Sequence, residues 1–180
     1  MTAIVVTDYD PAWPASFERI RERIAPALSG IALAIEHVGS TSVPGLPAKP
    51  ILDVDAIVER RHVAEAIERL APLGYEHVGD LGVRDREAFR HNHATRHNLY
   101  VCVAGSSNLR NHLALRDALR SDSNLAREYG ELKRRLAARF PDDIDAYVAG
   151  KSALILRVLE ASGRLTGDEL AEIRAINALP

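Results

Sequence analysis

Cysteine is almost missing from this sequence: Cys102 is the only one in 180 residues. A lone thiol forms no internal disulfide, which excludes a disulfide-stapled secreted scaffold and fits a reducing compartment. Aromatic residues make up only 5% of the chain, with a single Trp, too few for a platform that stacks single-stranded nucleic acid. No apolar run approaches the roughly 20 residues of a membrane span. The opening Met-Thr-Ala-Ile-Val-Val-Thr lacks the basic and long apolar regions of a signal peptide. An excess of one charge is absent too: 23 Lys+Arg stand against 25 Asp+Glu, a formal net charge of −2. That balance argues against an extended nucleic-acid surface but leaves room for a local basic cleft. The expectation is a soluble, cytoplasmic chain, 47% hydrophobic and long enough for a proper core.

Two parts are expected within it. Ala3 to Thr7 reads as an edge strand or extended lead-in. Phe17, Ile20, Ile24 and Leu28 then recur at helical spacing, with Pro26 shortening the last turn and Gly30 closing it. Strands are expected at 31–38 and 51–58, separated by Gly39–Pro50, whose two glycines and three later prolines forbid regular structure. A helix over 62–73 and shorter strands at 75–78, 83–90 and 97–103 follow. From Ser107 the period is helical, over 107–120, 123–139 and 142–161, and Thr166–Glu169 offers a capping box for a last short helix. The fold class is therefore α+β. A twisted mixed sheet flanked by helices (1–105) is followed by a C-terminal helical part (106–180) packed against it as one compact unit.

The chemistry concentrates in Gly39-Ser40, a twelve-residue connection, and Asp53-Val54-Asp55. Residues two apart on a strand project to one face, and paired carboxylates are costly to bury unless a cation lies between them. Mg²⁺ (or Mn²⁺) suits such a pair, since it takes one or two carboxylates plus waters and phosphate oxygens. Gly39, Ser40 and Lys49 supply phosphate donors beside it. An Asp-x-Asp can also be a solvent-facing edge, but the apolar run Ile51 to Val58 points to a central strand. His112, Arg116 and Arg120, at i, i+4 and i+8, can line one helix face and grip phosphates, although a solvated face of local ion pairs gives the same spacing. Eight basic against four acidic residues in 107–139 make that stretch the basic part of the chain. His91, His93 and His97 cluster in sequence, but the Asn-His-Ala-Thr segment reads as a hairpin tip.

The segment His37-Val-Gly-Ser-Thr-Ser-Val-Pro-Gly-Leu-Pro-Ala-Lys-Pro-Ile-Leu-Asp53 closely resembles the signature of the GrpB (UPF0157) family. Further matches are Arg96 to Val101, His112 to Arg120, Tyr129-Gly-Glu-Leu-Lys133 and Tyr147-Val-Ala-Gly-Lys151, so the resemblance covers most of residues 8–160. That family is placed with the nucleotidyltransferases, similar to polymerase β in the catalytic sheet. The resemblance implies catalytic, metal-holding roles for Asp53 and Asp55. It also implies a nucleoside triphosphate held by Gly39, Ser40, Lys49, His112, Arg116 and Arg120, with Lys151 on the triphosphate and Tyr147 against base or sugar. The family pattern has a third carboxylate on a later strand. Here that strand offers His97, Asn98 and Tyr100, so His97 is an additional metal candidate. Two expectations stand. One is metal-dependent nucleotidyl transfer to a small-molecule or protein hydroxyl. The other is a non-catalytic nucleotide- or CoA-precursor-binding accessory module, since GrpB-like domains occur fused to dephospho-CoA kinases. The sequence sets no oligomeric state.

Overall fold

The structure, a computed structural model, describes residues 3–163, 166–168, 170–171 and 174. Helix α1 (Trp13–Ile24) starts where Asp10 accepts the Ala12 N–H and Pro14 sits in the first turn. It buries Trp13, Phe17, Ile20 and Ile24 at three- and four-residue steps and stops sooner than Gly30. Its regular ladder is interrupted after the Ala25 N–H to Arg21 C=O bond, because Pro26 has no N–H to continue it. The 3–7 segment is an extended lead-in, tied to the body by a bridge between Thr7 and Ala48.

Five strands follow: β1 (Ala32–Val38), β2 (Leu52–Val58), β3 (Glu76–Gly79), β4 (Arg86–Arg90) and β5 (His97–Val103). They form one mixed sheet in the order β1-β2-β5-β4-β3. β2 runs antiparallel to β1 and parallel to β5. The second helical stretch is α2 (Val63–Leu70), flanked by 3-10 turns at 60–62 and 71–73. β4 begins at Arg86, later than the 83–90 pattern suggested, because Asp85 takes a positive φ of 65° and turns the chain.

One sheet face, carrying Leu52, Val54, Ala56, Leu99 and Val101, packs on α1 and α2 as the main core. The other carries Ile57 and Cys102 under Leu109 of α3 (Ser107–Ser121). The architecture is thus the expected α+β one. Helix α4 (Ser123–Arg139) is capped by the Asp122 carboxylate, which accepts the Asn124 and Leu125 N–H groups. The single helix expected over 142–161 is two, α5 (Ile144–Ala149) and α6 (Ser152–Ser162). They part at Gly150, where a Cβ would lie 2.4 Å from Leu136 Cδ2, so α5 docks against α4 with no room for a side chain. Gly150→Ala is therefore expected to cost about 1–3 kcal/mol by overpacking, read as a lowered Tm in thermal unfolding. The expected capping box at 166–169 falls partly outside the described residues. Among the described residues no helix is long and apolar enough to cross a membrane.

Candidate functional site

Alternation along β2 puts Asp53 and Asp55 on the face away from the main core. In register, Asp53 stands beside Val38 of β1 and Asn98 of β5, and Asp55 beside Glu36 and Tyr100. The chain leaves β1 at Gly39, whose φ of 66° favours glycine. A Cβ there would sit 2.1 Å from Asp53 Oδ2, so glycine is what lets that carboxylate lie against the loop backbone. The following 3-10 turn, Ser40–Ser42, is closed by the Ser42 hydroxyl donating to Gly39 C=O at 2.7 Å. Thr41 Oγ1 and His37 Nε2 are hydrogen-bonded at 3.0 Å.

The two aspartates are not equivalent. Asn98 Nδ2 donates to Asp53 Oδ1 at 2.8 Å, and burial raises the Asp53 pKa above the ordinary carboxylate range against that bond. Asp55 is fully buried, its Oδ2 accepting from His112 Nδ1 at 2.8 Å. Its Oδ1 is buried with no partner. Burial lowers the His112 pKa, but the hydrogen bond and the charges of Asp55 and Asp53 outweigh it, and the net shift is upward. Asp53 and Asp55 are two carboxylates on this face that could hold a metal ion, with Glu36 opposite Asp55 engaged by Arg116.

Beside Asp53 opens a cavity of about 210 Å³, lined by Ser40, Lys49, Asn98, Lys133, Tyr147 and Lys151 among others. Lys151 lies 4.6 Å over the Tyr147 ring, with Lys49 at 5.9 Å from the same ring. Lys133 lies 4.8 Å over Tyr129 and donates to Pro47 C=O. Burial, then Lys151 and Arg134, pull the Lys133 pKa down to about 7. Burial, then Lys49, bring Lys151 down to about 8. Three lysines are thus crowded around one carboxylate.

So the structure brings Ser40, Lys49, Asp53, Tyr147 and Lys151 around one cavity, with Gly39 against Asp53. Arg116 and Arg120 are not brought there, which corrects the expectation that they line it with His112. The three do share a face of α3, but successive turns dock on different elements. His112 meets Asp55. Arg116 Nη1 donates to Glu36 Oε2 at 2.7 Å and to His37 C=O at 3.3 Å, and its Nε to Asp117. Arg120 donates twice to Ser42 C=O, at 3.0 and 2.8 Å. These arginines fasten the Gly-Ser loop from behind and border a separate depression.

His97 is corrected too. It pairs with Leu52, on the core face, and cannot share an ion with Asp53 and Asp55. Its Nε2 meets the Tyr75 hydroxyl at 2.8 Å and its Nδ1 the Thr95 C=O at 2.7 Å. With His91 and His93 it brings ring nitrogens within 4.8 Å of one another. The three rings are stacked at 9–25°, whereas a shared ion needs rings that fan around it. Lys133 and Asn98 line the cavity and Tyr129 lies under the Lys133 ammonium; in the sequence all three fall in motifs or on β5, with no role in the site assigned to them there. The signal for two of them was present in the repeated Tyr-x-x-x-Lys spacing of 129–133 and 147–151.

Residues 3–161 match the family model described as GrpB protein. The chain belongs to the GrpB family. The UPF0157 protein YqkA of Bacillus subtilis (strain 168) is 35% identical over 161 residues; the match covers 87% of this GrpB chain and 46% of YqkA. This chain thus spans about half the length of that relative. The crystal structure of the conserved protein GrpB from Enterococcus faecalis superposes with a TM-score of 0.79 at 35% identity, covering 88% of this chain and 96% of that one. A protein named dephospho-CoA kinase in Mycolicibacterium paratuberculosis (strain ATCC BAA-968 / K-10) is 34% identical over 169 residues, 79% of this GrpB chain and 42% of that protein.

Proposed function

We propose that this protein binds a nucleoside triphosphate, with Mg²⁺ or Mn²⁺, and transfers a nucleotidyl group to a hydroxyl of a small-molecule or protein acceptor in the cytoplasm. The observation that carries this reading is the pocket itself: Asp53 pressed against Gly39 and faced by Lys49, Lys133 and Lys151. The Gly39 amide and Ser40 would hold the β- and γ-phosphates, Lys49, Lys133 and Lys151 would neutralise them, and Tyr147 would pack on base or sugar. The residues fit one divalent ion. Asp55 Oδ1 is an orphaned buried acceptor, and Asp53 Oδ1 alone is committed to Asn98. Waters and phosphate oxygens complete the shell that such an ion prefers. Mg²⁺ bound there would supply electrostatic stabilisation of the transferring phosphoryl group. In the transfer the acceptor oxygen bonds to the α-phosphorus as its bond to the bridging oxygen breaks. Pyrophosphate leaves with that electron pair, and the hydroxyl proton passes to water.

Incubation with each labelled triphosphate, Mg²⁺ or Mn²⁺ and a cell extract tests the reading. Metal-dependent label transfer is expected, lost in Asp53→Asn. Tight triphosphate binding with no transfer under any condition would instead favour the non-catalytic nucleotide- or CoA-precursor-binding module. Two observations support that second reading: β5 offers Asn98 and Tyr100 where a third carboxylate would stand, and the chain resembles part of a dephospho-CoA kinase.

Both readings share a pH dependence. Lys133 and Lys151 are charged below about 7 and 8 and lose their protons above those values. Triphosphate affinity is therefore expected to fall as pH rises from about 6.5 to about 9. A bound polyanion raises both lysine pKa values, so binding near pH 8 takes up protons. Calorimetry in buffers of different ionisation enthalpy reads that uptake directly; a buffer-independent enthalpy would contradict it.

A further inference from the structure

On the acidic face of the sheet, β4 adds a cation that the pocket described above does not use. Arg86 stands opposite Cys102 of β5, and Ala88 opposite Tyr100. Residues directly opposite in a ladder share a face, so Arg86 shares the face of Tyr100, Asn98, Asp53 and Asp55. Its guanidinium lies 4.5 Å over the Tyr100 ring. That stacking holds the planar fork in place without engaging its in-plane donors. No carboxylate pairs with Arg86 among the described residues, and its Nε is buried with no hydrogen-bond partner. The neighbouring arginines differ. Arg84 is mostly exposed and pairs weakly with Asp85 at 4.0 Å, and Arg60 holds Asp85 at 2.7 Å. Arg86 is the arginine of this group that is oriented and left without an anion.

Its place matters. β4 is two strands from β2, with β5 between them, and Arg86 stands level with Ile57 through Cys102, so at about 4.8 Å per strand and about 3.3 Å per residue its backbone is about 12 Å from that of Asp55 and about 16 Å from that of Asp53. The lysine cavity extends from Asn98 and Asp53 toward the Gly-Ser loop and α4. Arg86 and Tyr100 are half-buried and do not line that cavity, and α3 covers the neighbouring Cys102 and Asp55 with Leu109 and His112. An acceptor whose hydroxyl reaches Asp53 past the exposed Asn98 would extend toward Arg86.

We propose that Arg86, held on Tyr100, recognises an oxyanion of the acceptor, so that the acceptor is a small hydroxylated molecule bearing a carboxylate or phosphate. This rests on the nucleotidyl-transfer reading and narrows its acceptor class, away from neutral alcohols and protein hydroxyls. A guanidinium fork pairs with either oxyanion through two parallel N–H···O bonds.

The test uses the full chain, isotope-labelled, titrated with glycerol 3-phosphate, glycerate, glycerol and inorganic phosphate, each with and without a non-hydrolysable triphosphate and Mg²⁺. Expected are saturable amide shifts in 86–90 and 98–102 with the anionic probes and none with glycerol, persisting when the triphosphate is bound. Comparison of glycerol 3-phosphate with glycerate tells which oxyanion is preferred. Arg86→Gln should weaken the anionic probes by about tenfold or more and Arg86→Lys by less. Triphosphate affinity in both variants should stay within about twofold, which also shows that they are folded. The proposal is overturned if no anionic probe shifts 86–90, if Arg86→Gln binds as the wild type does, or if the triphosphate displaces the probes because they occupy the lysine cavity. Failure of the triphosphate to bind, with the Arg86-dependent shifts intact, would strike the nucleotidyl-transfer reading and leave the oxyanion site standing.

Discussion

His112→Ala is expected to destabilise the fold by about 3–5 kcal/mol, the range for removing one partner of a buried ion pair. Asp55 is fully buried, and His112 is the partner bonded to its carboxylate. Without the imidazole, Asp55 is left as an uncompensated charge or must take a proton. For a chain of this length each kcal/mol lowers Tm by about 2–4 °C, so the loss is large in thermal unfolding. The pH dependence gives an independent check. The folded-state pKa of His112 is raised, so the stabilisation is fully present below the unfolded value of about 6.5 and is lost as pH rises through the folded value. The wild-type minus His112→Ala stability gap should therefore shrink toward alkaline pH. A gap that widens there would contradict an imidazolium at this position.

Gly39→Ala should remove triphosphate binding by a different route. The backbone at φ 66° and ψ −173° is strained for any residue with a Cβ, by about 1–3 kcal/mol. The Cβ would also stand 2.1 Å from Asp53 Oδ2, so the carboxylate must leave its place or the loop must move. We expect triphosphate affinity to fall by at least about tenfold. Gly45→Ala separates the two effects. Its φ of 76° carries similar strain, but no atom lies within 4 Å of its Cβ. Gly45→Ala is expected to lower Tm while keeping triphosphate affinity. Equal losses of affinity in both variants would mean that loop strain, not the contact with Asp53, governs the site.

Much of the sheet was legible because strand alternation and breakers are local signals. The apolar run 51–58 is a central strand, and its period of two put Asp53 and Asp55 on one face. The contact between Gly39 and Asp53 was legible only as a motif, because the closeness of two backbones is not a property of either segment. The helix face of His112, Arg116 and Arg120 was read correctly as a face, yet spacing along α3 says nothing of what each turn meets. Those partners are set by the docking angle of α3 over β2, β1 and the Gly-Ser loop. His97 was misplaced by one residue of register: its neighbour Asn98 faces Asp53, and His97 faces the core. The tight packing at Gly150, between α5 and α6, was hidden for the same reason as the glycine contact, since it is set by Leu136 on another helix.

On the proposed function, the pocket between Asp53 and the three lysines takes a triphosphate together with a divalent ion. Calorimetric titration of the full chain with a non-hydrolysable triphosphate, with and without Mg²⁺, tests it most directly when repeated on Asp53→Asn and Lys151→Met. Expected are saturable binding that Mg²⁺ strengthens, a loss of the Mg²⁺ effect in Asp53→Asn, and affinity about tenfold weaker in Lys151→Met at either metal condition. Binding that is absent for every triphosphate, or that both variants retain unchanged, would contradict it.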